Sequence, residues 1–178
     1  MVALLSIAQA IQQGPSAPHR TILFAAFGDE EGGMIGSYHY VAHAPARLPI
    51  DRVVQIVNLD MVGSHSSRGF VAAMGTFKKL AARKIMDDLA PKFRSIHVGL
   101  GGTSRGSDFE PFCKLGIPYV FFWTPDARCY HQQCDTVERI DFRHMVDITT
   151  LAGALTERLA ESELDLAGMR RRLGCFGR

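Results

Sequence analysis

The apolar positions of this chain fall into short runs separated by longer stretches with helical spacing. The runs predict strands at 21–27, 53–59, 69–74, 95–99 and 118–124, and several of them are apolar on both faces, as central strands are. Between them, the spacing predicts helices at 33–43, 76–89, 108–115 and 141–162, after an N-terminal helix that ends at Gly14 and Pro15. This alternation predicts an α/β fold with a largely parallel sheet covered by helices on both sides.

Composition supports one folded domain over residues 1–178, because 47% apolar residues supply a packed core. Twenty basic and eighteen acidic side chains leave a net charge of +2, which argues against a nucleic-acid partner. No apolar run reaches the roughly 18 residues of a membrane span, and no signal peptide precedes the first helix. Because that helix begins abruptly at residue 1, we expect a truncated N-terminus.

Three polar motifs follow predicted strands at the point where each strand ends. Glu30 and Glu31 follow the strand at 21–27, and Asp60 closes the strand at 53–59. His131 lies in the loop after the strand at 118–124. Ligands of such sheets bind outside the carboxyl ends of the strands, so this arrangement predicts a functional site there.

The residue types at these strand ends suit hydrolysis at a metal ion. Such chemistry needs one carboxylate to hold the ion and another to take a proton from water, and Glu30 and Glu31 can divide those roles. Asp60 would be costly to bury without a partner. His131 offers an imidazole ligand, and Tyr130 offers a phenol that can donate to an oxyanion. The alternatives are a solvated glutamate pair, a capping aspartate and a structural histidine.

Four segments resemble, in order, the signatures of the zinc aminopeptidase family that includes bacterial leucyl aminopeptidases and glutaminyl cyclases. These segments are FGDEEGGMIGS, VNLDMVG, GSDFEPFCKLGIP and CYHQQCDTVERID. The match spans nearly the whole chain. The resemblance implies a three-layer α/β/α sandwich with a mostly parallel, mixed sheet. It also implies co-catalytic zinc ions and the removal of N-terminal amino acids from a peptide substrate.

The resemblance assigns a role to each motif residue. Glu30 matches the general base, Glu31 and His131 match two ligands of one zinc, Asp60 matches a ligand of the other, and Tyr130 matches the residue that steadies the tetrahedral intermediate. The family's upstream His-x-Asp and Asp-Asn-x-Ser-Gly segments have no match here. We therefore expect a sheet that is incomplete at the N-terminus, one zinc ion or fewer in this chain, and inefficient turnover.

Two of the four cysteines, Cys129 and Cys134, flank the Tyr-His pair at a separation of five, which fits a disulfide, two free thiols or zinc ligands. Secreted members of the family have cysteines at these positions, so the resemblance implies a disulfide. It also implies an extracytoplasmic parent protein, periplasmic or secreted. Cys113, on an apolar helix, is expected to be a buried small hydrophobic residue, and Cys175 indicates nothing.

The glycine-rich stretch at 99–112 lacks the lysine and the spacing of a phosphate-binding loop. We expect it to line the substrate cleft, with Ser107 or Asp108 capping the following helix.

The predicted function is metallo-aminopeptidase activity. Two alternatives are a glutaminyl cyclase-like acyltransferase, which releases pyroglutamate, and a non-catalytic binding domain with the peptidase fold.

Overall fold

The computed structural model describes residues 1–126, 128–170 and 175. The helices are α1 (Val2–Gln12), α2 (Ile35–Ala42), α3 (Ala81–Leu89), α4 (Glu110–Lys114) and α5 (Phe142–Glu161). The strands are β1 (Ile56–Asp60), β2 (Phe70–Met74), β3 (His97–Leu100) and β4 (Tyr119–Trp123). Short 3-10 turns lie at Ile50–Arg52, His65–Ser67, Ala90–Lys92 and Val137–Arg139.

The four strands form one mixed sheet in the order β1-β4-β2-β3. β1 runs parallel to β4, and β2 runs parallel to β3, whereas β2 and β4 are antiparallel. Asp60 at the end of β1 pairs in register with Trp123 at the end of β4. Because these two strands are parallel, the segments that follow them leave from the same edge of the sheet, as the sequence predicts.

Both faces of the sheet are covered by helices, which confirms the three-layer α/β/α prediction. Along β4, alternate side chains point to opposite faces. Val120 and Phe122 pack into a core cluster that contains buried residues of α1, α3 and α5. Tyr119 and Phe121 pack on the other face with Phe109, beside α4, which itself contacts α2.

The longest helix, α5, matches its prediction at 141–162 within one residue at each end. Asp141 caps it, since its side chain accepts a hydrogen bond of 3.1 Å from the His144 backbone N–H. One face, with Ile148, Leu151 and Leu155, is fully buried. None of the described helices is long and apolar enough to cross a membrane.

The predicted strand at 21–27 is wrong, because these residues belong to no strand of the described sheet. The segment still passes between the two helix layers. Phe24 packs against the α1–α3–α5 cluster, and Phe27 meets Tyr40 of α2 and Phe112 of α4 at centroid distances of 6.0 and 5.9 Å. Leu23 is 46% exposed, so the apolar run does not predict burial here, and a strand also needs a paired backbone about 4.8 Å away.

Two disulfides join the four cysteines. Cys129 and Cys134 are bonded, with 5.3 Å between their Cα atoms, so the predicted pairing is confirmed. Cys113 is buried as predicted, but it is also bonded to Cys175, 62 residues away, and this second disulfide was not predicted. It ties residue 175 to α4, a contact that local sequence spacing does not reveal.

Candidate active site

The predicted site residues meet at the edge of the sheet where β1 and β4 end. His131 and Glu31 are 100 residues apart in sequence, yet the His131 Nε2 atom lies 2.9 Å from the Glu31 Oε1 atom. Asp60 ends β1 at the same edge. Asp60 and the loop that carries His131 follow strands, as the strand-end argument expects, whereas the stretch before the glutamates is not a strand.

A tight backbone turn presents the glutamate pair at the start of α2. The Glu30 carbonyl accepts hydrogen bonds from the backbone N–H groups of Gly33 and Met34, at 2.9 and 2.7 Å. Gly36 then lies directly against Gly28, and a Cβ atom on Gly36 would come within 2.6 Å of the Gly28 carbonyl oxygen. Only glycine permits this close approach, so Gly36 allows the chain to fold back and hold the pair at the sheet edge.

Asp60 is held by a chain of hydrogen bonds that the sequence did not indicate. The Asn58 amide donates to the Ser107 Oγ at 2.9 Å, and the Ser107 hydroxyl donates to the Asp60 Oδ2 at 3.1 Å. Asn58 and Asp60 lie on the same face of β1, as residues two apart do. The prediction that Ser107 or Asp108 caps α4 is wrong, because Phe109 is the N-cap and no side chain caps the helix.

The carboxylates at this edge influence one another's protonation. Burial raises the pKa of Glu30, and the negative charges of Asp60, Glu31 and Asp108 raise it further, while His131 opposes the rise. Burial also raises the pKa of Asp60, against the hydrogen bond from Ser107, which lowers it. A carboxylate whose pKa is raised toward neutrality suits the role of general base.

Tyr130 and His131 form a stacked pair beside Glu31, with ring centroids 3.8 Å apart and an interplanar angle of 24°. Burial raises the pKa of Tyr130, and the charges of Glu31, Asp60 and Glu30 add to this effect. The phenol therefore keeps its proton at neutral pH. A protonated phenol can donate a hydrogen bond to a developing oxyanion, which is the role predicted for Tyr130.

Asp126 supports the site, and the analysis of the sequence missed it. Its Oδ1 atom accepts hydrogen bonds of 3.1 Å from the backbone N–H groups of Arg128 and Cys129 and from the Ser66 hydroxyl. Its Oδ2 atom lies 3.6 Å from Arg139. Asp126 follows β4 by three residues, so the strand-end argument that found His131 would also have singled it out.

The end of the glycine-rich stretch packs partly in the core. Phe109 is fully buried and stacks on Tyr119 with ring centroids 4.1 Å apart. The neighbouring Asp108 has a buried Oδ1 atom without a hydrogen-bond partner among the described residues. Its charge acts on Glu30 and Asp60, so Asp108 belongs to the electrostatics of the site.

Glu31 and His131 place the kinds of donor atom that bind zinc within 2.9 Å of each other. Histidine nitrogen and carboxylate oxygen are both zinc ligands, and the Glu31–His131 pair therefore fits zinc by ligand type. A catalytic zinc commonly takes three protein ligands. Among the described residues, however, no group of three or more His, Cys, Asp or Glu side chains is placed to hold a metal ion. The pair thus supplies a partial ligand set.

Comparison with curated proteins finds peptidases. Leupeptin-inactivating enzyme 1 of Streptomyces exfoliatus is 29% identical over 170 residues, covering 78% of this chain and 35% of that protein. Aminopeptidase YwaD of Bacillus subtilis (strain 168) is 29% identical over 176 residues, covering 90% of this chain and 36% of that protein. The chain thus spans about a third of the length of these relatives.

Solved structures show the same fold. The aminopeptidase from Aneurinibacillus sp. strain AM-1 is 27% identical, with a TM-score of 0.72 over 89% of this chain and 37% of that one. The zinc aminopeptidase BSAP from Bacillus subtilis is 24% identical, with a TM-score of 0.76 over 93% of this chain and 42% of that one. The profile of peptidase family M28 matches residues 1–156. The resemblance found in the sequence is therefore confirmed, and the chain belongs to peptidase family M28.

Proposed function

We propose that this chain carries part of the active site of a zinc-dependent aminopeptidase, which removes N-terminal amino acids from peptides. The observation that carries the proposal is the 2.9 Å approach of His131 to Glu31, at the sheet edge where Asp60 also ends β1. Membership of family M28 and the similarity to named aminopeptidases support the same activity.

Each site residue has a distinct task in this proposal. Glu30 takes a proton from the attacking water and delivers it to the leaving amine, which its raised pKa favours. Tyr130 keeps its proton and donates a hydrogen bond to the oxyanion. Glu31, His131 and Asp60 act as metal ligands. Zinc, when bound, would polarise the peptide carbonyl and lower the pKa of water.

We further propose that this chain by itself binds one zinc ion or none. Glu31 and His131 would hold that ion, with Asp60 or water completing its shell. Asp60 is engaged with the Ser107 hydroxyl, and burial raises its pKa, which lowers its availability as a charged ligand. Two ligands bind more weakly than three or four, so we expect slow turnover that requires an excess of zinc.

The two disulfides, the net charge and the shared core bear on the location, the partner and the domain organisation of the protein. Two disulfides persist only in oxidising surroundings, so we propose a periplasmic or secreted parent protein. We propose a peptide as the partner of the site and no nucleic acid, since the chain has a net charge of only +2. We also propose that residues 1–178 act as one catalytic domain, since both core clusters share β4.

The test is release of amino acids from an aminoacyl-nitroanilide and from short peptides at excess zinc, with products identified by mass spectrometry. We expect slow release of the N-terminal amino acid. Glu30→Gln removes the base and keeps the shape, so it should lower the rate by about 10²–10⁴-fold. Asp29→Asn is the matched control, because Asp29 is an exposed neighbouring carboxylate. Release that is insensitive to Glu30→Gln, or formation of pyroglutamate, would overturn the proposal.

A further inference from the structure

The loop at residues 128–134 carries Tyr130 and His131, yet these two side chains do little to fix their own positions. Each is about half exposed, at 52%. His131 also has a φ of 56°, in the left-handed region that non-glycine residues rarely adopt. Such a conformation persists only where the surroundings impose it. The orientation of His131 toward Glu31 must therefore come from contacts elsewhere in the loop.

One constraint closes the loop on itself. The Cys129–Cys134 disulfide joins its ends, and the Gln132 N–H donates to the Cys129 carbonyl at 2.9 Å. These contacts limit the internal shape of the loop. They do not fix how the closed loop sits against the sheet, because both partners in each contact belong to the loop.

A second constraint comes from Asp126, whose side chain is only 6% exposed. Its Oδ1 atom accepts hydrogen bonds from the backbone N–H groups of Arg128 and Cys129, the first two residues of the loop. The same carboxylate binds the Ser66 hydroxyl and lies beside Arg139, which belong to other parts of the fold. Asp126 thus joins the start of the loop to the body of the protein.

We infer that Asp126 is a positioning residue that aims Tyr130 and His131 at Glu31. The importance of this orientation for catalysis rests on the proposed aminopeptidase function. Asp126 does not touch His131. It fixes the two backbone groups at the start of the loop, so the stacked pair that follows is held over the glutamate.

The groups around residue 126 explain why this residue is an aspartate. Two backbone N–H groups and the Ser66 hydroxyl donate hydrogen bonds to one side chain. The Arg139 guanidinium donates to the Ser66 Oγ at 2.8 Å and forms an ion pair with the same carboxylate at 3.6 Å. A carboxylate only accepts and carries a negative charge, so it suits the three donors and the cation, whereas an asparagine would point an N–H group at one of these neighbours. The hydrogen bond from the Cys129 N–H lowers the pKa of Asp126 despite its burial, so the carboxylate stays charged at neutral pH.

The test is NMR of the 178-residue chain without zinc or substrate. In Asp126→Ala, we expect the Arg128 and Cys129 amides to exchange at least about tenfold faster relative to core amides, since each loses a charge-assisted hydrogen bond. We also expect loss of the contact between the His131 ring and Glu31, and of the ring-current shift from Tyr130. Asp126→Asn keeps one acceptor oxygen and should give an intermediate result.

Asp141→Ala is the matched control, because Asp141 also accepts a backbone N–H bond, but at the cap of α5. It should lower the melting temperature and leave the His131–Glu31 contact intact. Should Asp126→Ala fail to fold, Arg139→Gln removes one partner of the same carboxylate and should weaken the contact. A contact that survives in folded Asp126→Ala, that is as strong in Arg139→Gln as in the wild type, or that is lost equally in Asp141→Ala, would overturn the inference. These signals do not depend on turnover, whereas failure of the proposed function shows in the product assay.

Discussion

Replacing Ser107 by alanine tests how Asp60 is held at the sheet edge. The change removes a buried hydroxyl that accepts from Asn58 at 2.9 Å and donates to Asp60 at 3.1 Å. A neutral hydrogen bond contributes about 1 kcal/mol, and one to a charged group contributes about 1.5–3 kcal/mol. Because water reaches the half-buried Asp60, we expect the lower part of the sum, a loss of about 2–3 kcal/mol in the free energy of unfolding.

This loss can be followed by urea unfolding through the fluorescence of Trp123, which is the chain's single tryptophan and pairs with Asp60 in register. For a chain of this size, about 2–3 kcal/mol corresponds to a fall of roughly 4–12 °C in melting temperature. Ser104→Ala, in the same glycine-rich stretch, is the control and should change stability by no more than about 0.5 kcal/mol.

The effect of Ser107→Ala should depend on pH in a defined direction. The Ser107 hydroxyl favours the charged form of Asp60, so its loss raises the pKa of Asp60 further. A carboxylate whose folded-state pKa is raised lowers the stability of the folded state as pH rises through that pKa. The difference between Ser107→Ala and wild type should therefore be larger at neutral pH than in acid. Equal losses in the Ser107 and Ser104 variants, or a loss that grows on acidification, would refute the reasoning.

Three further predictions concern the core, the base and the turn. Phe109→Ala should lower the free energy of unfolding, measured by calorimetry, by about 3–5 kcal/mol, because Phe109 is fully buried against Tyr119. Phe142→Ala should lower it far less, because the Phe142 side chain is 58% exposed, and similar losses in the two variants would contradict the buried stack. Because its pKa is raised in the folded state, Glu30 destabilises the fold as pH rises. The free energy of unfolding of Glu30→Gln, relative to that of the wild type, should therefore increase from acid to neutral pH, and a difference that does not change with pH would contradict this prediction. Gly36→Ala should lower stability by about 1–3 kcal/mol, and Gly28→Ala, which has open space, should not.

The elements that could be predicted from sequence are those decided by local pattern. The sequence pattern predicts α5 to within a residue at each end because its apolar face repeats at helical spacing. The segment at 21–27 has an equally apolar pattern, but pairing depends on a neighbouring backbone that the pattern does not contain. A strand is predicted at 53–59, but β1 begins only at Ile56, where the backbone N–H donates a hydrogen bond to the Pro118 carbonyl.

The same distinction applies to the candidate site. The directions of β1 and β4 predict that Asp60 and His131 lie at one edge of the sheet, but the approach of Glu31 to His131 does not follow from strand direction, because residues 21–27 form no strand of the sheet. The bridge from Ser107 to Asp60 joins residues 47 apart, and it arises because Ser107, just before α4, packs against the side chains of Asn58 and Asp60 on β1. No local spacing encodes that approach. The sequence therefore does not predict Ser107 as the partner of Asp60, whereas strand direction does predict the edge at which Asp60 and His131 lie.

A calorimetric titration of the chain with zinc tests the central claim most directly, with Glu31→Ala and His131→Ala as the two variants. The account predicts binding of one ion at most, weakly, with that binding lost in both variants. Glu138→Ala, an exposed carboxylate away from the pair, is the control and should bind as wild type does. Two tightly bound ions, or binding that survives in either Glu31→Ala or His131→Ala, would contradict the account.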